Sequence, residues 1–202
     1  MAAGLVVAGG QSTRFGEGDK AVAELAGVPM IRRVADELES AVDELVVNCR
    51  REQTDSLRAA LSGYDRPVRF AEDDEPDRGP MAGIRTGLHA VDETYAFVVA
   101  CDMPFVNREL VEHLFDRASG HDAAVPQLDD QWFQTTHAVY RAEPMAAACD
   151  AALDRGEHKI IEPLFDLDYV VVGEDEAREH GGLDSFENVN TREEFEAAAA
   201  RF

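Results

Sequence analysis

Residues 4–20, Gly-Leu-Val-Val-Ala-Gly-Gly-Gln-Ser-Thr-Arg-Phe-Gly-Glu-Gly-Asp-Lys, constrain the fold of this chain more than any other stretch. A short apolar run breaks into glycines and then delivers two cations. Residues 5–8 read as a strand covered on both faces, since a run of branched apolar residues bounded by glycine leaves no polar face for solvent. Gly9, Gly10, Gly16 and Gly18 let the backbone turn tightly and bring its N–H groups against an anion without a Cβ in the way. Arg14 adds a planar fork of donors and Lys20 a point charge. The layout is that of a phosphate-binding loop. It fits neither standard nucleotide motif: no Gly-Lys-Ser/Thr ends the loop, and the Gly-x-Gly-x-x-Gly spacing is absent.

Charge narrows the partners. Against 19 bases stand 41 acids, a formal net charge of -22 that repels nucleic acid polymers and anionic membranes across most of the surface. Lys20 and Lys159 are the only lysines; the other seventeen bases are arginines. Such an excess of carboxylate with almost no lysine is expected of a halophile's protein, because molar salt shrinks the Debye length to roughly 3 Å and makes self-repulsion tolerable. A lysine retained beside a glycine loop in this chain is less readily a generic solvated charge. Cys49, Cys101 and Cys149 are odd in number and lack any Cys-x-x-Cys, so they read as small buried hydrophobes. No basic stretch leading into an apolar one opens the chain, and no apolar run reaches membrane length, which points to a cytoplasmic location.

A single α/β domain over residues 1–202 is expected at this length. Residues 21–27 read as a connector, with Pro29 in the first turn of a helix whose apolar positions are Met30, Ile31, Val34, Leu38 and Ala41. Strands at 45–49, 68–71 and 95–101 alternate with helices at 52–61, 80–91 and 107–118, the first reading as a polar surface helix and the last capped by Asn107, and a strand at 123–126 follows. This alternation predicts a mainly parallel, doubly wound sheet in a three-layer α/β/α Rossmann-like arrangement, with ligands beyond the carboxyl ends of the strands. The last third is less regular: a strand at 133–140, helices at 144–155 and 159–165, a strand at 169–172, and a final helix opened by Thr191 and Glu194 at capping-box spacing.

Asp102, where the fourth strand ends, is the sharpest chemical candidate after the loop. Mg²⁺ typically takes one or two protein carboxylates together with waters and substrate phosphates. The alternative is that Asp102 caps a turn before Pro104. Asp73 lies in an acidic run, residues 72–77, that reads largely as solvated surface, and Asn48 either bonds a base or ribose or simply ends its strand. The six histidines are scattered, and no nucleophile elbow or His-Glu-x-x-His is present. Cations and a metal-binding acid without a general base fit a reaction in which one phosphate attacks another, because a phosphate oxygen is already ionised near pH 7.

Residues 7–16, with Asp19 and Lys20, also resemble the Leu-Ala-Gly-Gly-x-Ser-x-Arg-Met-Gly-x-x-Lys signature of nucleotidyltransferases with a glycosyltransferase-A-like Rossmann fold. Gly79-Pro80-Met81-Ala82-Gly83-Ile84, Cys101-Asp102-Met103-Pro104-Phe105 and Asn188-Val189-Asn190-Thr191 are similar to the molybdenum cofactor guanylyltransferase family. The resemblance implies transfer of GMP from GTP to molybdopterin, with Mg²⁺ as cofactor and pyrophosphate as by-product. It implies that Val7, Ala8 and Gly9 meet the nucleotide while Gly10, Arg14 and Lys20 hold its phosphates. Asn48 and Asp73 are then placed in the guanosine pocket, Asp102 on the metal and a phosphate, and Gly83, Asn188 and Asn190 on the acceptor side. Arg14, Lys20 and Asp102 carry the catalytic roles. Partner proteins that deliver molybdopterin, or molybdoenzymes that take up the product, belong to the same implication. Cytidine-using relatives read Leu-Ala-Ala-Gly, so Gly9 points to guanine. Open alternatives are a nucleotidyltransferase acting on cobinamide phosphate, on a sugar phosphate or with CTP, and a nucleotide sensor without turnover.

The composition makes a direct prediction. The thermal unfolding midpoint should rise steadily as KCl is raised from about 0.1 M to about 2 M, as the Debye length falls from about 10 Å toward 2–3 Å. A midpoint indifferent to salt would reject the halophilic reading.

Overall fold

The computed structural model of the chain describes residues 1–10, 18–73, 79–129 and 131–202, so Arg14 and Gly16 of the glycine loop lie outside the described residues. Seven strands, β1 (Ala2–Val7), β2 (Glu44–Cys49), β3 (Val68–Glu72), β4 (Tyr95–Ala100), β5 (Ala123–Gln127), β6 (His137–Arg141) and β7 (Tyr169–Gly173), form one sheet. Their spatial order is β3-β2-β1-β4-β6-β5-β7. All neighbours pair in parallel except β6, which runs antiparallel between β4 and β5. The expected mostly parallel sheet is therefore present, with one reversed strand.

Alternate residues of each strand feed opposite cores, as the two-residue period of a strand requires. In β2, Leu45, Val47 and Cys49 join one cluster with Ile31 and Val34 of helix α1 (Met30–Leu38), Leu57 of α2 (Thr54–Ala60) and Leu110 of α4 (Arg108–Ala118). Val46, between them, joins the opposite cluster with Met81 and Ile84 of α3 (Pro80–His89), Met145 of α5 (Ala142–Asp154) and Leu164 of α6 (Ile161–Leu164). The result is a three-layer sandwich whose sheet is buried on both faces, which is why its strands read as near-continuous apolar runs.

Several local expectations are corrected. The connector at 21–27 contains a 3₁₀ turn, Lys20–Val22, and starts a hairpin of Glu24–Leu25 with Val28–Pro29. Pro29 pairs with Glu24 there and precedes α1 rather than lying inside it. The strand expected at 133–140 starts only at His137, because residues 131–136 form a loop in which Phe133 makes an isolated bridge with Gln127 and Gln131 has a positive φ of 67°. The helix expected at 52–61 opens as a 3₁₀ turn, Arg51–Gln53. Helix α7 (Glu174–Glu179) and a 3₁₀ turn at Leu183–Phe186 were not anticipated. The last helix, α8 (Arg192–Ala199), has the capping box of Thr191 with Glu194, and Asn107 caps α4 through its side chain. Among the described residues no helix is long and apolar enough to cross a membrane.

The order of connection reverses between β1 and β4, the point where an open parallel sheet leaves a crevice at its carboxyl edge. One wall of that crevice is α3, seated close against β1. A Cβ at Gly87 would stand 2.3 Å from Leu5 Cδ1 and 3.1 Å from its Cγ, and Leu5 is fully buried with nowhere to turn. Gly87→Ala should therefore destabilise the protein by on the order of 1–3 kcal/mol through overpacking, against the roughly 1 kcal/mol that alanine gains over glycine in a helix. Urea unfolding measures the net loss; an unchanged or higher midpoint would contradict this packing.

Candidate functional site

The four parallel strands β3, β2, β1 and β4 end side by side, and each delivers one group to the crevice. From β1 the chain passes through Val7 and Ala8, whose N–H donates to the Asn48 carbonyl at 2.8 Å, into Gly9 and Gly10. Gly10 is exposed, and a Cβ there would meet nothing within 4 Å among the described residues. From β4 comes Asp102, held by the bond from the Val189 N–H to its carbonyl at 2.8 Å.

Lys20 joins these segments. Its ammonium donates to Asp102 Oδ2 at 2.9 Å and to Asn190 Oδ1 at 3.2 Å, bringing together residues 82 and 170 positions apart. The Lys20 side chain is only 7% exposed and that of Asp102 20%, so the pair sits in a partly desolvated setting. Asp102 Oδ1 is buried and has no hydrogen-bond partner among the described residues. A buried carboxylate oxygen with unused lone pairs is a fitting ligand for a small hard cation, whose other ligands come from water and phosphate. Among the described residues no cluster of three or more His, Cys, Asp or Glu forms a closed metal cage.

On the β2–β3 side, Asn48 is fully buried and positions its neighbour. Its Nδ2 donates to the Ala71 carbonyl at 3.2 Å and to Asp73 Oδ1 at 2.7 Å. Two glycines make room for this pair. A Cβ at Gly83 would stand 2.4 Å from Asn48 Oδ1, and one at Gly9 would stand 2.7 Å from Asp73 Oδ2. Of the residues expected on the acceptor side, Asn190 takes the Lys20 bond, whereas Asn188 is exposed and donates to the Phe186 carbonyl at 3.5 Å.

Sequence reasoning missed Gln53, which it placed on a polar surface helix. The side chain is buried; its Nε2 donates to the Ala8 carbonyl at 3.1 Å and to Asp19 Oδ2 at 2.7 Å, and its Oε1 accepts from the Arg50 N–H at 2.9 Å. Asp19 in turn caps the 3₁₀ turn that starts at Lys20 by accepting from the Ala21 N–H at 3.0 Å. The available signal was a glutamine three residues after a helix-entry position, the spacing of a capping box. Glu194 secures the other flank: N–H bonds from Asn190 and Thr191 hold its carboxyl below the usual range. Burial, followed by the neighbouring Asp102 carboxylate, pushes the Cys101 thiol up and leaves it a poor nucleophile at neutral pH. His137 is buried as well, its Nε2 3.0 Å from Ser185 Oγ, and burial lowers its pKa to about 3, so it stays neutral.

Comparisons with known proteins place the chain in a family. Residues 4–176 match the family model of the MobA-like NTP transferase domain. The chain is 56% identical over 198 residues to a protein of Natronomonas pharaonis named as a probable molybdenum cofactor guanylyltransferase, covering 98% of this chain and 96% of that one. A protein of the same name from Haloferax mediterranei is 41% identical over 199 residues, covering 98% and 93%. Among solved structures, molybdopterin-guanine dinucleotide biosynthesis protein A of Archaeoglobus fulgidus superposes with a TM-score of 0.79 at 28% identity, covering 98% of this chain and 97% of that one. A 4-diphosphocytidyl-2C-methyl-D-erythritol synthase of Anaerococcus prevotii shares the fold at a TM-score of 0.75 and 16% identity, covering 99% and 97%.

The support that Asn48 gives Asp73 is testable through pH. Asn48→Asp replaces a donor 2.7 Å from Asp73 with a second carboxylate, so one of the two acids must be raised well above the ordinary value near 4. An acid raised in the folded state binds a proton there that the unfolded chain has lost, so the variant's deficit should grow as pH rises from about 4. Urea unfolding at mildly acidic and mildly alkaline pH should show a smaller deficit at the acidic one; a deficit independent of pH would refute the contact.

Proposed function

We propose that this chain, which belongs to the MobA-like NTP transferase family, transfers the GMP moiety of GTP to molybdopterin and releases pyrophosphate. It is a nucleotidyltransferase, and its relatives from Natronomonas and Haloferax fit the halophilic composition. The observation that carries the reading is the convergence of Lys20, Asp102 and Asn190 at the carboxyl edge of the sheet, the edge at which Gly9 and Gly10 follow β1. Lys20 neutralises phosphate charge in a setting where few water molecules compete, and the loop N–H groups receive phosphate oxygens. Asp102, through Oδ1, is the residue to hold Mg²⁺, which when bound offsets charge on the phosphates as a Lewis acid. Arg14 is assigned to the triphosphate by the same reading.

The chemistry balances without a general base. A phosphate oxygen of molybdopterin attacks the α-phosphorus of GTP in line, the bond from that phosphorus to the β-phosphate oxygen breaks, and pyrophosphate leaves with the electron pair. Val7, Ala8 and Gly9 border the nucleoside, and Asn48 holds Asp73 facing it. A carboxylate accepts from the N1–H and N2–H groups on one edge of guanine, whereas cytosine offers a single amino donor there. An alanine at position 9, as in the cytidine-using pattern, would push into Asp73 Oδ2, which supports GTP as the nucleotide. Gly83, Asn188 and Asn190 are left to the acceptor side.

Wild-type protein should release pyrophosphate with GTP plus molybdopterin and much less with CTP; no release with GTP would overturn the reading. Asp102→Asn preserves a partner for Lys20 but removes the charge, and should lower kcat/KM by about 10²-fold or more, the scale for loss of transition-state charge stabilisation. Turnover kept within a few-fold would remove Asp102 from the chemistry.

A further inference from the structure

The chain's second lysine lies at a second concavity. Pro80, Trp132, Phe133, His158, Lys159 and Ile160 are among the residues that line a cavity of about 490 Å³ at the same edge of the sheet. Pro80 opens α3, the helix whose Gly83 meets Asn48, so one wall of this cavity continues the nucleotide crevice. The reversed strand β6 explains the placement: the chain leaves the carboxyl end of β5 and re-enters the sheet from that edge, carrying residues 131–136 beside the site.

That loop is built, not loose. The Gln134 N–H donates to the Pro126 carbonyl at 2.8 Å, the Tyr140 hydroxyl to the Thr135 carbonyl at 2.8 Å, and Gln127 Nε2 to the Gln131 carbonyl at 3.0 Å. Phe133 packs edge-on against Tyr169 with ring centroids 5.9 Å apart. Trp132 is 73% exposed, a large aromatic plane at the surface of a strongly acidic protein. Lys159 lines the same cavity, and its ammonium enters no ion pair among the described residues although the chain has 41 acids. An aromatic plate with an uncommitted cation suits a fused-ring heterocycle that carries anionic groups.

We propose that this cavity holds the ring system of the acceptor, stacked on Trp132, with Lys159 facing its anionic substituents, while the acceptor's phosphate extends toward Lys20 and Asp102. Resting on the transfer reaction proposed above, this adds Trp132 and Lys159 as acceptor-specificity residues. In molar salt the long-range pull of the site on an anion is screened, so contact terms such as stacking carry the recognition.

Trp132 is the chain's single tryptophan, so its emission reports on the cavity directly. Molybdopterin, and a phosphate-free pterin at higher concentration, should quench that emission in the wild type. Trp132→Ala should raise the molybdopterin KM about tenfold, the scale of a lost aromatic stack, with the GTP KM changed less than about twofold. Trp132→Phe should recover most of the loss; Lys159→Glu should impair molybdopterin binding more than Lys159→Arg. Absence of quenching together with unchanged molybdopterin KM in Trp132→Ala and Lys159→Glu would overturn the inference while wild-type turnover upheld the reaction. Quenching without turnover would uphold the cavity and sink the reaction.

Discussion

The ion pair between Lys20 and Asp102 is the contact on which the rest of the site depends. Its members arrive on different segments, one after the first glycine loop and one at the end of β4, and the same ammonium reaches Asn190 near the start of the last helix. A partly desolvated pair contributes little net stability, because burial of both charges offsets much of their attraction. What it supplies is position. The cation is held 2.9 Å from one carboxylate oxygen, and the other oxygen has no partner among the described residues, the arrangement on which the proposed phosphate and metal roles rest.

Around that pair the backbone is held by buried polar side chains. Gln53 ties the Ala8 carbonyl to Asp19, which caps the turn carrying Lys20. Asn48 fixes Asp73, and a Cβ at position 9 or 83 would stand 2.7 Å from Asp73 Oδ2 or 2.4 Å from Asn48 Oδ1. Groups of this kind lose heavily when one partner is removed, since the other is left buried without a bond. The crevice is thus preorganised by its supports as much as by the residues that face it.

A surface with a net charge of -22 is an unfavourable place for two anionic substrates to meet. The two lysines lie where that problem is local, Lys20 in the crevice and Lys159 in the neighbouring cavity. Arginine elsewhere is largely engaged with carboxylates, as in the pairs of Arg201 with Asp184 and Glu187.

The apolar runs determined the fold class from sequence, and the glycine loop and Asp102 marked a candidate site, because these signals are local: a buried strand must be apolar, and a chain that turns tightly against an anion needs glycine. The alternation of strands and helices was legible through β5 for the same reason. Other features were decided only in three dimensions. Gln53 looked like a surface residue because its bonds to Ala8 and Asp19 span 45 and 34 positions, and no periodicity records such a pairing. The reversal of β6 depends on which edge of the sheet was left to fill, and that reversal brings Trp132 and Lys159 to one cavity. Local chemistry is written in neighbouring residues, whereas partners far apart in the chain are chosen by packing, which a single strand of text does not contain.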